Sequence, residues 1–307
     1  MKKLMFIASA MLCGTVLAAF DPASTALTSG VVGYQQVVIP AQQFTMIGVM
    51  YADMTNGAIS VQDLFQDPLG QGLTGGATAG NADQLMYWDT DETGNYITLF
   101  LYSNTGTSSA IRARHNHWLC KSAPADTTWG VKANDVSIKK LTSGMGLWLK
   151  RLNFATPITL SMSGAAVTAE GGRNITIIEG FNMISGGFSC DFVPNPDTAG
   201  TGDAIDWLSK GCAGAATAGN ADQLMFWDTN ETGNYVTLFL YSNTGTSSAI
   251  RARHNHWLCK AAPTDTTWGV KANDPSPKSI PAGRGVWYKR LAGKGTFTLN
   301  LDQPYSL

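Results

Sequence analysis

Charge is scarce in this 307-residue chain: Lys, Arg, Asp and Glu make up 14% of it, with 21 basic and 22 acidic side chains. An ordinary soluble domain carries roughly a quarter charged residues, so the surface here is built largely from Thr, Ser, Asn, Gln and Gly. The near balance of signs excludes nucleic acid or an anionic membrane as a partner held by bulk charge. Long apolar runs are missing as well. The longest, Leu4 to Leu17, falls short of the ~20 residues needed to cross a bilayer, and no transmembrane span is expected in the mature chain. Phosphate-cradling loops are absent too, because the glycine-rich run Gly72 to Asn81 lacks the lysine and acid partners such loops use. The carboxylates cluster in turns instead of facing one another across a cleft, and no serine or cysteine stands in a nucleophile motif. The chain is therefore read as a non-enzyme.

What is present begins with a leader. Lys2 and Lys3, the apolar run and the small pair Ala18-Ala19 form the three-part pattern of a secretory signal. Residues 1–19 are expected to be removed, leaving a linker over 20–29 and a protein that is extracellular, on the cell surface or periplasmic.

The mature part is an internal repeat. Residues 77–135 align without a gap on 216–274 at an offset of 139, and only five of these 59 pairs differ: Tyr87/Phe226, Asp91/Asn230, Ile97/Val236, Ser122/Ala261 and Ala125/Thr264. The offset continues to Gly146–Arg151 against Gly285–Arg290. Earlier parts have diverged further, although Gln42–Asp53 and Glu179–Asp191 keep a shared shape. Gene conversion explains a nearly identical block at least as well as a shared role does. Two tandem modules are expected, 30–164 and 165–307.

Short β-branched and aromatic runs alternate with Gly, Asn, Thr and Pro clusters, which predicts strands joined by turns. In the first copy these are Val31 to Ile39, Thr45 to Tyr51, Gln84 to Trp88, Tyr96 to Tyr102, His115 to Cys120, Gly146 to Leu149 and Ile158 to Met162. Seven strands in roughly 130 residues imply an all-β fold, an antiparallel sandwich or partly open barrel. A short helix is expected at Ile59 to Phe65, with Asp203 to Leu208 as its counterpart. The succession of GFNMIS, a short helix, ADQLMFWD, the aromatic strand Tyr235 to Tyr241, Trp268, PAGRGVWYKR and a closing FTLNL resembles a β-rich repeat family of secreted and cell-surface bacterial proteins, with the outline GWN-hydrophobic-IS, WD, PGxGYW. The resemblance implies fold and location more than activity, because its motifs are packing and turn residues. The first copy departs from it with Thr45 for Asn182 and Leu141-Thr142 for Ile280-Pro281.

Three constellations could carry chemistry. If HNHWLCK is a strand, His115 and His117 share a face about 7 Å apart, as do His254 and His256, a spacing that suits Zn²⁺ or Cu²⁺. The turn at Asp89, Asp91 and Thr93, repeated as Asp228, Asn230 and Thr232, opens like a Ca²⁺ loop, but Phe100 stands where the bidentate glutamate belongs. Calcium is the one cofactor considered possible, and a plain acidic hairpin explains the same residues. Trp129 and Trp268, in the loop DTTWGVKAND, could stack on a sugar while Lys132, Asn134, Lys271 and Asn273 hydrogen-bond its hydroxyls. The bland alternative is a ring folded back onto a sheet.

Cys190 and Cys212 both belong to the second copy alone, which favours a bridge between them in an oxidising compartment. Cys120 and Cys259 are then either buried thiols or a link between modules. The resulting expectation is a secreted structural or adhesive protein of duplicated β modules, its partners glycans or other surface proteins. A carbohydrate binder and a metal-binding module are the alternatives.

Overall fold

The computed structural model describes residues 32–53, 57–90, 92, 95–167 and 172–304. The expected leader (1–19) and linker (20–29) lie outside them. The first repeat contributes strands β1 (Val32–Ile39), β2 (Phe44–Gly48), β3 (Tyr51–Ala52), β4 (Ile59–Ser60), β5 (Gln84–Trp88), β6 (Tyr96–Tyr102), β7 (His117–Cys120), β8 (Lys140–Leu141), β9 (Gly146–Lys150) and β10 (Ile158–Ala166). The second contributes β11 (Arg173–Ile177), β12 (Gly180–Ser185), β13 (Gln223–Trp227), β14 (Tyr235–Leu240), β15 (Trp257–Cys259), β16 (Gly285–Arg290) and β17 (Phe297–Leu301). The chain is all-β, its strands pair antiparallel, and its α-helices among the described residues are four residues long.

Each repeat builds a five-stranded sheet of the same order, β2-β9-β5-β6-β7 and β12-β16-β13-β14-β15. Side chains alternate across such a sheet, and that alternation sorts them into two environments. In the first repeat Leu147, Leu149, Leu85, Ile97, Leu99 and Leu101 point inward, onto a core closed by Val37 and Ile39 of β1 and Leu160 and Met162 of β10. In the second, Leu224, Val236, Leu238 and Val286 meet Ile175, Ile177, Leu299 and Leu301 of the β11-β17 pair. Each repeat is thus a sandwich of a large sheet on a small one.

The outward residues of the two large sheets meet each other. Met46, Met86, Trp88, Tyr96 and Trp148 pack with Met183, Met225, Trp227, Tyr235 and Trp287 in one shared cluster. The contacts are reciprocal, as across a two-fold axis. Trp148 meets Trp227 edge to face at 5.4 Å between centroids, and Trp287 meets Trp88 likewise at 5.7 Å. Gly48 N donates to the Gly283 carbonyl at 2.8 Å, and Ser185 N to the Gly144 carbonyl at the same distance. Twin glycines allow the approach: a Cβ on Gly146 would come within 2.9 Å of the Ile184 oxygen, and one on Gly285 within 2.8 Å of the Ile47 oxygen. The described residues from 32 to 304 accordingly form one compact unit.

Two details differ from the sequence reading. β10 runs to Ala166, across the boundary drawn at 164/165, and Val167 beyond it is buried in the second core. The second repeat's helix is α3 (Pro196–Ala199), not Asp203 to Leu208. Pro196 opens it, and Gly200 closes it in the left-handed conformation at φ 70°. The first repeat's α1 (Val61–Leu64) lies where expected, its N-terminus held by Ser60, whose Oγ accepts from Asp63 N at 3.1 Å. α2 (Ser109–Arg112) and α4 (Ser248–Arg251) are twins in the repeated block.

Trp148→Ala should destabilise the whole unit by about 3–5 kcal/mol, the usual range for deleting a buried aromatic side chain. Denaturant unfolding followed in both repeats checks this. A variant in which the first repeat weakens and the second keeps its midpoint would show that the seam does not couple them.

Candidate functional site

The sequence candidates are mostly engaged in holding the fold. Trp129 and Trp268 are each 1% exposed. Trp129 lies on Tyr87 at 5.3 Å with Lys139 Nζ 5.0 Å above its ring, and Trp268 repeats this with Phe226 and Lys278. No ring face is left for a sugar, so the loop-tryptophan platform is corrected to a pair of plugs over the sheet. Lys132, Asn134, Lys271 and Asn273 are exposed turn residues: the Asp135 and Asp274 carboxylates accept from Lys132 N and Lys271 N at 3.1 Å, and both asparagines take positive φ.

The histidines do not share a strand face. Asn116, at φ 62°, breaks the chain between them, and β7 starts only at His117. His115 Nδ1 accepts from Asn104 N at 3.3 Å while His117 Nδ1 donates to the His115 carbonyl at 2.8 Å. His254 and His256 repeat both bonds, and His256 Nε2 also meets Asp197 at 2.7 Å. The acidic turn is a hairpin: Asp89 N donates to the Asn95 carbonyl at 3.0 Å, and Asn95 turns at φ 61°. Asp228 Oδ1 accepts from Asn230 N at 2.9 Å. The remaining calcium candidates, Asp91, Thr93 and the Thr232 side chain, lie outside what is described. Glu92 and Glu231 reach across to accept from Asp126 N and Asp265 N, tying the turn to the tryptophan loop. Among the described residues no three His, Cys, Asp or Glu side chains gather as a metal site.

All four described cysteines are free thiols, so the expected Cys190–Cys212 bridge is not formed. Cys120 and Cys259 sit in separate cores and donate to the Trp129 and Trp268 carbonyls at 3.3 and 3.2 Å. Burial pushes both up to about 11. Cys212, pushed by burial up to about 12, hydrogen-bonds with Tyr288. That hydroxyl donates to Asp222 at 2.6 Å beside the buried Arg290–Asp222 ion pair. The first copy has Leu73 and Leu149 at these two places, so the residue that changes together with Cys212 is Tyr288.

The open feature of the seam is a cleft of about 660 Å³ where the repeats join. Tyr87, Trp88, Asp89 and Met145 of the first repeat face Arg173, Asn174, Phe181 and Asn182 of the second across it. Phe181 is 38% exposed and stands edge-on to Trp88 at 6.3 Å. Arg173 Nε donates to the Ser143 carbonyl at 3.0 Å, bracing the back wall. Reciprocity places a twin of this cleft between Phe226, Trp227 and Asp228 and the strand Phe44–Gly48. There Arg284 replaces Met145: its Nε donates to the Met46 carbonyl at 3.3 Å and its Cζ lies 5.6 Å from the Phe226 ring centre. Burial pulls this guanidinium down to about 10, opposed by the Asp228 carboxylate. The signal for the cleft was present in the sequence as two exchanges between the repeats, Tyr87/Phe226 and Met145/Arg284. A second cavity, about 810 Å³, opens in the second repeat beside Trp207, Cys190 and the Lys210–Asp302 ion pair.

No family model matches this chain, and neither does any curated protein or solved structure. No helix among the described residues is long and apolar enough to cross a membrane.

Two measurements follow from these environments. Denatured without reductant, the protein should release all four described thiols to a thiol reagent; two missing thiols would restore the Cys190–Cys212 bridge. The Thr267 hydroxyl and N–H and Lys278 hold Asp265 below the usual carboxylate range, and Asp126 is held there by Thr128 and Lys139 against the opposing effect of burial. Folded values lowered in this way contribute stability above the unfolded value of about 4 and lose it as pH falls through the folded one. Acid unfolding should therefore be shallower below about pH 4 in an Asp126→Asn, Asp265→Asn variant, and an unchanged profile would contradict the assignment.

Proposed function

We propose that the chain is an exported, non-catalytic protein of the cell surface or matrix, structural or adhesive in role, and that it engages its partner at the open cleft between the repeats. The observation that carries this is the cleft itself. Ligand sites favour junctions between packed units, where aromatic walls and a few convergent polar groups occur together. Tyr87, Trp88 and Phe181 supply the rings, while Asp89, Asn174 and Thr176 supply the polar groups. The leader pattern, the low charge and the resemblance to cell-surface repeats support the location. The uniform sandwich, with its hydrogen-bonded turns, supports a scaffold role more than a chemical one.

A glycan is the second reading. Phe181, 38% exposed with Lys289 Nζ 5.5 Å from its ring centre, is the ring that favours it, with Asn174 and Thr176 close by as hydroxyl partners.

Retention of the purified protein on whole cells or matrix material tests the proposal. Changing Phe181→Ser together with Asn174→Ala should lower retention by about tenfold, the equivalent of 1.4 kcal/mol, with the melting temperature preserved. Undiminished retention would move the contact elsewhere, and turnover of a polysaccharide that scales with purity would overturn the non-catalytic reading.

A further inference from the structure

The plugged twin shows what kind of group fills this geometry. Arg284 has its guanidinium near the Phe226 ring and within the field of Asp228, and its Nε on the Met46 carbonyl. Three features thus frame the guanidinium: a π face and a backbone acceptor in contact with it, and a carboxylate whose charge favours it from beyond ion-pair distance. A planar cation meets all three, because its faces are apolar while its edge carries donors.

The open cleft keeps the same three places. Tyr87 stands where Phe226 does and Asp89 where Asp228 does, 139 residues earlier, while Met183 stands for Met46. Met145 occupies the Arg284 position, and its side chain is turned back onto its own loop, where Sδ accepts from Thr142 N at 3.3 Å. Asp89 and Arg173 are the two charged residues lining the cleft. Arg173 belongs to the opposite wall on β11, at the position of Gln35 in the first repeat, and its Nε is held by Ser143.

We propose that the open cleft receives a guanidinium group, the side chain of an arginine displayed by a partner polypeptide, placed as Arg284 is placed in the twin. This rests on the reading of the cleft as the contact site and names the chemistry of what enters it. Tyr87 offers the ring, Asp89 the counter-charge and the Met183 carbonyl the acceptor. By the same logic the chain takes one such group, not two, because Arg284 already fills the second place. Met145/Arg284 is then the exchange that makes a symmetric scaffold single-sited.

The test uses the whole exported chain and three probes: N-acetyl-arginine amide, N-acetyl-lysine amide and a neutral oligosaccharide, each titrated while the Trp88 indole signal is followed by NMR. The arginine probe should bind saturably at one site and about tenfold more tightly than the lysine probe. Asp89→Asn should weaken it by about tenfold or more. Met145→Arg, which places the twin's plug at the matching position, should abolish binding. Arg284→Met should raise the stoichiometry from one to two. Equal binding of the lysine probe, indifference to Asp89→Asn, or undiminished binding in Met145→Arg would each overturn the proposal. If the oligosaccharide alone binds and Phe181→Ser removes it, the cleft stands as the contact and the arginine assignment falls. If no probe perturbs Trp88 and the cleft variants keep full cell retention, both fall together.

Discussion

The edge-to-face tryptophan contacts across the seam, Trp148 on Trp227 and Trp88 on Trp287, hold the two repeats in register, and the rest of the molecule is arranged around them. Each large sheet has one face committed to its own core. Its other face carries Met, Trp and Tyr side chains that water would solvate poorly, so a sheet left alone would present the kind of apolar patch that soluble proteins avoid. Pairing the two faces removes both patches together. Beyond burial, each edge-to-face pair contributes about 0.5–1.5 kcal/mol, and reciprocity makes every such contribution count twice. The indole of Trp287 adds a hydrogen bond to the Tyr235 hydroxyl at 3.2 Å. Glycines at 146 and 285 let the strands come close enough for this contact.

A symmetric seam generates two equivalent clefts, and any difference between them must come from residues that differ between the repeats. The nearly identical repeated block contributes Tyr87 against Phe226 and little else to that difference. The divergent flanks supply the rest: Met145 against Arg284 decides which cleft is open, and Arg173 against Gln35 furnishes the wall. The buried polar groups diverge in the same way. Asp83 and Asp222 each accept two backbone N–H groups, but Asp222 is also ion-paired with Arg290 and takes a hydrogen bond from Tyr288, whereas burial raises the carboxyl of Asp83. Divergence is therefore concentrated where the two repeats no longer need to be alike.

Much of the fold was legible in the sequence because β alternation and turn chemistry are local. Gln84–Trp88 and Tyr96–Tyr102 end where the pattern says they end. Alternation states which side chains face away from a core without stating what covers them, so Trp88 and Trp148 gave no sign of the seam. The histidine pair failed for a local reason that spacing ignores: one asparagine in the left-handed region ends the strand. Trp129 and Trp268 misled because polar neighbours in a loop do not reveal that the ring folds back onto Tyr87 or Phe226. The cysteine pairing failed because presence in one repeat alone was matched to the wrong partner, Cys190 instead of Tyr288.

The central claim, that both repeats fold as one body through the aromatic seam, is tested most directly by scanning calorimetry of the protein. One transition whose calorimetric and van't Hoff enthalpies agree is the expected result. Two separable transitions, each belonging to one repeat, would contradict it.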